Sequence, residues 1–280
     1  MTNAFGAGAL FERLQDKVER FLAGPPPNRP TKPTVSVTEP PTTPAPTAAP
    51  TPRVSLPPGA SPRPTPTPTP TPARRPVDVD ILRDPESFFA HELEDDWCAV
   101  AGTQMVIAIH RRGNTGEGFQ REIASRIREW ESWQDSHNGN WGPAAIVEAL
   151  AEYGVPGYEI RAYERRSTAL RDAARQISKT GAPVVLLAWK GAHTWIMTGY
   201  RADADPLVFR DAHVSGAYIL DPWYPWDSSI WGPSDPPGTF QDEAEMERNF
   251  LRWERPEGDY PDRDGKYITI VPTVPITPPG

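Results

Sequence analysis

The chain has 280 residues, with one cysteine, 36 prolines and a formal charge of −8. A single thiol excludes an internal disulfide framework and a thiolate-rich zinc site, so any folded part must be held by its core. Residues 1–77 hold nine Lys/Arg against four Asp/Glu, leaving the remainder with 20 basic and 33 acidic residues, a balance that argues against nucleic-acid binding and favours neutral or basic partners.

The first unit, residues 1–23, reads as a short amphipathic helix. Phe11, Leu14, Val18, Phe21 and Leu22 recur at three- and four-residue spacing, with Glu12, Arg13, Asp16, Lys17 and Glu19 between them. Too short to bury its own stripe, it is expected to dock on a protein partner or on the globular part of the chain. It lacks the basic start and uninterrupted apolar run of a secretory signal. No stretch approaches the roughly 20 apolar residues of a membrane span, so no integral membrane segment is expected. Residues 24–76 form the second unit, dominated by Pro, Thr and Ala and ending in PTPTPTPTP near Arg74. With too few large apolar residues for a core, this is a disordered linker. Repeated proline favours polyproline II at about 3.1 Å per residue, an arm on the order of 100 Å or more when extended. Its style is that of bacterial surface and secreted proteins, yet no export route is readable and localisation stays open.

Residues 77–280 form the third unit, long enough for one domain. Apolar spacing predicts helices over 97–111, 118–134 and 143–153, a strand over 158–163, and a helix over 168–178. Strands follow over 183–189, 194–200 and 217–220. A long Pro-, Asp- and Trp-rich excursion over 223–264, with a short helix at 242–253, precedes a last strand at 266–271. Helices first and antiparallel strands afterwards make the fold class α+β. The excursion is expected to wall or cover a cleft.

Three residues carry chemistry. Cys98, in DDWCAVAGTQM, is placed at the first turn of an apolar helix, where the partial positive charge of the helix N-terminus favours a thiolate. His193 opens the strand TWIMTGY, with the residues KGA before it joining two antiparallel strands. Asp221 closes GAYILDPW, where Pro222 stops the strand, and a buried carboxylate there could fix the imidazole tautomer. Taken singly, each has a plain alternative: a core cysteine, a turn histidine, an Asp-Pro turn. In the order Cys, His, Asp they read as a papain-like thiol hydrolase. Trp97, Trp189, Trp195 and Trp223 lie within a few residues of the three, either walling a peptide groove or packing the core. The other histidines, His91, His110, His137 and His213, lack metal-ligand spacing, so neither metal nor cofactor is assigned.

These segments resemble the bacteriocin-processing cysteine peptidases that act on double-glycine leaders, and more closely their stand-alone bacterial relatives. The likeness rests on Cys98-Ala99-Val100-Ala101, on Gly191-Ala192-His193-Thr194-Trp195 and on Leu220-Asp221-Pro222. It covers about 200 residues. It implies a papain-like fold with the Cys helix packed on an antiparallel sheet, a peptide or protein substrate, Cys98 as nucleophile, His193 as general base and Asp221 as orienting carboxylate. One position departs from that pattern. Family members usually carry a glutamine six residues before the cysteine, whose amide donates to the oxyanion, and here Glu92 stands there. An ionised carboxylate has no proton to donate. Either Glu92 is protonated, or another donor such as the Cys98 N–H serves, or the protein is a weakened, peptide-binding module. A cysteine amidase or acyltransferase is a further alternative.

Overall fold

The computed structural model describes residues 72–111, 113–130, 142–254 and 262–276. The helix expected over 1–23 and nearly all of the 24–76 linker lie outside the described residues, as does the end of the helix expected over 118–134.

Seven strands form one antiparallel sheet: β1 (Val77–Asp80), β2 (Tyr158–Tyr163), β3 (Val184–Ala188), β4 (His193–Ala202), β5 (Val214–Leu220), β8 (Thr239–Asp242) and β9 (Tyr267–Pro272). The order is β2-β9-β3-β4-β5-β8, and β1 pairs with the far end of β4. Two further strands, β6 (Asp227–Ser228) and β7 (Gly232–Pro233), make a separate hairpin. The helices are α1 (Cys98–Arg111), α2 (Glu117–Ser125), α3 (Ile127–Trp130), α4 (Pro143–Glu152), α5 (Arg166–Thr180) and α6 (Glu243–Asn249).

The alternation of β3 explains the layers. Val185 and Leu187 join Ile196, Leu220, Ile268 and Ile270 in a core with Val100, Met105 and Val106 of α1 and Ile146 and Leu150 of α4. Val184, Leu186 and Ala188 join Trp195 and Met197 in a second core with Ala169, Leu170, Ala173, Ala174 and Ile177 of α5. Every residue of β3 is therefore buried, as expected of a strand with helices over both faces. The helices are thus not all gathered on one side: α5, inserted between β2 and β3 in the chain, covers the face opposite α1. Its apolar stripe is amphipathic, and Gly181 ends it at φ 68, the left-handed cap that glycine adopts without penalty.

Helix α1 is apolar on nearly every side, with Cys98 to Ile109 all buried, because it lies between the sheet and the α2 and α4 helices. Its small residues have a steric purpose. A Cβ on Gly102 would stand 2.7 Å from Thr194 Cγ2 and 3.3 Å from Ile196 Cδ1, so the helix approaches β4 more closely than any other residue would permit.

Candidate active site

Cys98 is the first residue of α1. The carbonyl of Trp97 accepts from Ala101 N–H at 2.8 Å, closing the first turn, and Trp97 N–H donates to the Glu94 carbonyl at 2.9 Å. Cys98 is 6% exposed and its Sγ lies 3.8 Å from the carbonyl oxygen of Ala192, the residue before His193.

His193 begins β4, opposite Ala188 of β3. Asp221 follows the last residue of β5, which is paired with Ile196 of β4, so adjacent strands bring the two side chains together at one end of the sheet. His193 Nε2 donates to Asp221 Oδ1 at 2.7 Å, both side chains being buried. The same Oδ1 accepts from Trp223 N–H at 2.9 Å, which fixes the carboxylate from behind. Burial works against an imidazolium, but the charge and hydrogen bond of Asp221, together with Cys98, outweigh it and push His193 up to about 9. With Nε2 committed to Asp221, Nδ1 is the nitrogen left to interact with Cys98.

The turn before His193 is strained. Trp189 has φ 51 and Lys190 φ 60, followed by Gly191 at φ 89. The first two are side-chain-bearing residues in the left-handed region, each at a cost of about 1–3 kcal/mol that the surroundings must offset. Those surroundings come from the long excursion after Asp221. Trp189 Nε1 donates to Asn249 Oδ1 at 3.0 Å, Glu254 N–H donates to the Lys190 carbonyl at 3.2 Å, and Lys190 pairs with Glu254. The Trp253 ring lies against Gly191, where a Cβ would come within 2.4 Å of it. Excursion residues thus clasp the His193 turn.

Glu92 is 3% exposed, and its N–H donates to the carbonyl of Pro222 at 3.0 Å, tying its segment to the residue next to Asp221. A buried glutamine holds that segment from the other side. Gln120 accepts from Leu93 N–H at 2.8 Å and donates to the His91 carbonyl at 2.9 Å and to Gln104 Oε1 at 3.0 Å. Gln104 in turn donates to the carbonyls of Asn114 and Gly116, so its amide is spent on loop anchoring, away from the thiol. His91 donates from Nδ1 to the Tyr224 carbonyl at 2.9 Å and accepts at Nε2 from Trp226 Nε1 at 3.1 Å.

Of the four tryptophans singled out from the sequence, Trp189, Trp195 and Trp223 are 4%, 3% and 2% exposed and belong to the core on the α5 side. Trp97 is half-buried against the α1 core. In this structure the first three pack the interior behind His193 and Asp221. Trp231, Asn249, Trp253 and Gln120 were not read from the sequence as site residues. All four act across long sequence separations and leave no local spacing to read. Among the described residues no group of three His, Cys, Asp or Glu side chains could hold a metal ion, and no helix is long and apolar enough to cross a membrane.

No curated protein matches the chain. Among solved structures, a double-glycine-motif protease from an AMS/PCAT transporter, crystallised in complex with the leader peptide, matches with 18% identity and a TM-score of 0.33, over 66% of this chain and 91% of that one. The Peptidase_C39-like family matches residues 83–255, a span that runs from before Glu92 to beyond Trp253 and includes Cys98, His193 and Asp221. The chain is a member of the Peptidase_C39-like family, and its fold is the α+β, papain-like fold of a cysteine-peptidase family.

Proposed function

We propose that the chain is a cysteine peptidase in which Cys98 is the nucleophile, His193 the proton carrier and Asp221 its orienter. The observation that carries this reading is the buried 2.7 Å bond between His193 Nε2 and Asp221, formed at the sheet end where Cys98 opens α1. The His193 imidazolium and the N-terminus of α1 both favour a thiolate at Cys98. That thiolate attacks the scissile carbonyl carbon, a C–S bond forms, and the carbonyl π electrons move onto oxygen. The Cys98 N–H, at the N-terminus of α1, is the donor we assign to this oxyanion. His193 then delivers its proton to the amine nitrogen as the C–N bond breaks, leaving an acyl-thioester. Water attacks the thioester with His193 taking its proton, and Cys98 is regenerated.

The test is iodoacetamide labelling together with turnover of a peptide library by the full chain. Expected is alkylation of Cys98 far faster than that of an ordinary thiol at neutral pH, with peptide cleavage that disappears in Cys98→Ala. Ordinary thiol reactivity and no cleavage would defeat the reading.

One observation favours a second reading, a weakened peptide-binding module. Glu92, at the position where the resembling family carries an amide donor, is buried beside Pro222. Glu92→Gln restores a permanent donor of nearly the same size. If the oxyanion site is the deficit, turnover rises by about 10- to 100-fold. Equal activity of both proteins at every pH would place the donor elsewhere.

A further inference from the structure

The Trp189 indole lies flat on the His193 imidazole, with ring centroids 4.0 Å apart and planes 18° from parallel. This contact is built at a conformational cost. A bulky aromatic at φ 51, followed by Lys190 at φ 60, occupies backbone space that such residues avoid, and strain of this kind persists only where the surroundings over-determine it. Three contacts to Trp189, one of them itself anchored, do so here. Asn249 Oδ1 accepts from the indole N–H at 3.0 Å, and Asn249 Nδ2 donates to the Glu245 carbonyl at 3.1 Å, so the anchor is itself anchored in α6. Trp231 lies near-parallel to Trp189 at 5.9 Å and 8°, and Trp223 meets it edge-on at 6.3 Å and 77°.

The imidazole needs such a partner. The hydrogen bond from Nε2 to Asp221 fixes one edge of the ring but not its plane, because the final torsion of a histidine side chain is broad. A flat ring against it removes that freedom. An indole face also carries negative electrostatic potential, so it favours the charged over the neutral imidazole.

We propose that Trp189 is a positioning residue for the Cys98–His193 pair: its indole sets the plane of the His193 ring, aims the nitrogen not held by Asp221 at Cys98, and stabilises the imidazolium. This rests on the proposed catalytic reading of His193. It also gives the excursion after Asp221 a second task beside any contact with substrate, that of holding Trp189 through Asn249 and Trp231.

The experiment measures the rate of Cys98 alkylation by iodoacetamide from pH 4 to 10 in the full chain and in Trp189→Phe, Trp189→Leu and Asn249→Ala. Thermal unfolding and circular dichroism are followed in parallel. Trp189→Leu is expected to move the midpoint of thiol activation to higher pH by about one unit, a tenfold loss of thiolate below the midpoint. Trp189→Phe, which keeps a face but no N–H, returns most of that shift, and Asn249→Ala, which keeps the indole but frees it, lies between. A loss of packing alone would lower the melting temperature without moving the midpoint. A folded Trp189→Leu with the parental midpoint overturns the proposal. Should that variant not fold, an unshifted midpoint in folded Asn249→Ala overturns it equally. An unactivated thiol in the parent protein sinks the catalytic reading and this one with it, whereas an activated parent with unshifted variants sinks this one alone.

Discussion

At Asp221 one oxygen serves two donors, the His193 Nε2–H and the Trp223 N–H. Its charge is what holds His193 up against the cost of burial. The proposed mechanism needs His193 protonated, both as counter-ion to the thiolate and as acid toward the leaving amine, so activity should be lost as pH rises through about 9. Asp221→Asn keeps the shape and deletes the charge. Burial is then opposed by Cys98 without the Asp221 charge, the imidazolium is destabilised, and the alkaline limb of the pH–rate profile moves to lower pH. A fall in kcat/KM of about 100-fold or more accompanies it, since a carboxylate that fixes the imidazole tautomer is costly to replace. Profiles of parent and variant on one reporter peptide check both. An alkaline limb that stays in place would mean that Asp221 does not set the proton affinity of His193.

At the scale of elements, the active geometry depends on how near α1 stands to β4. Gly102 is one turn beyond Cys98, and Thr194 is the neighbour of His193. Their contact therefore sets the spacing between the proposed nucleophile and the imidazole. In Gly102→Ala the new methyl would stand 2.7 Å from Thr194 Cγ2, on a β-branched side chain in a buried strand that has little room to give. Overpacking of this kind costs about 1–3 kcal/mol, partly offset by the better helix propensity of alanine, about 1 kcal/mol. Stability should thus drop modestly. Activity should drop about 10- to 100-fold, because a displacement of the order of 1 Å at the reacting atoms is expensive. Adding Thr194→Ser removes the clashing methyl and should restore turnover, as kinetics of the single and double variants would reveal. Failure of the double variant to recover would separate this contact from the chemistry. The helix α1, the strands β3, β4, β5 and β9 and the helix α5 were legible from periodicity because each is long and apolar on one or both faces. Strands β1 and β8 were not. Val77–Asp80 alternates, but only over four residues and with aspartates on its outward face, and Thr239–Asp242 sits in a Pro-rich excursion that reads as loop. The roles of Asn249 and Trp253 were likewise hidden, since the residues they touch, Trp189 and Gly191, lie about 60 positions earlier in the chain.

Across the whole molecule, two histidines, His193 buried and His110 half-buried, bend stability against pH in opposite directions. His193, raised to about 9, binds its proton more tightly folded than unfolded, so its contribution is full below about pH 6.5 and is lost as pH rises toward 9. His110 is pushed down to about 4 by burial and by the neighbouring Arg111 charge, and its Nε2–H donates to Tyr158 Oη, which donates onward to the Pro183 carbonyl. Its contribution is full above about pH 6.5 and is lost as pH falls toward 4. Chemical denaturation across pH 4–9 should therefore show a maximum near pH 6.5, with His110→Gln flattening the acid side only. The proline-rich arm joins this domain where Arg74 bonds to Asp203 and Asp211 and lies over the Phe209 ring. Strand β1 follows directly, pairing with the end of β4 that is remote from His193. A fragment of residues 72–280 should accordingly unfold in one cooperative transition and keep the thiol reactivity of the full chain. Shortening it to residues 77–280 deletes the Arg74 contacts, which are more than a third exposed on both partners, and exposed pairs of this kind add little to stability. The two fragments should then unfold at nearly the same urea concentration. A larger gap, or loss of cooperativity in the shorter one, would move the domain boundary upstream into the arm.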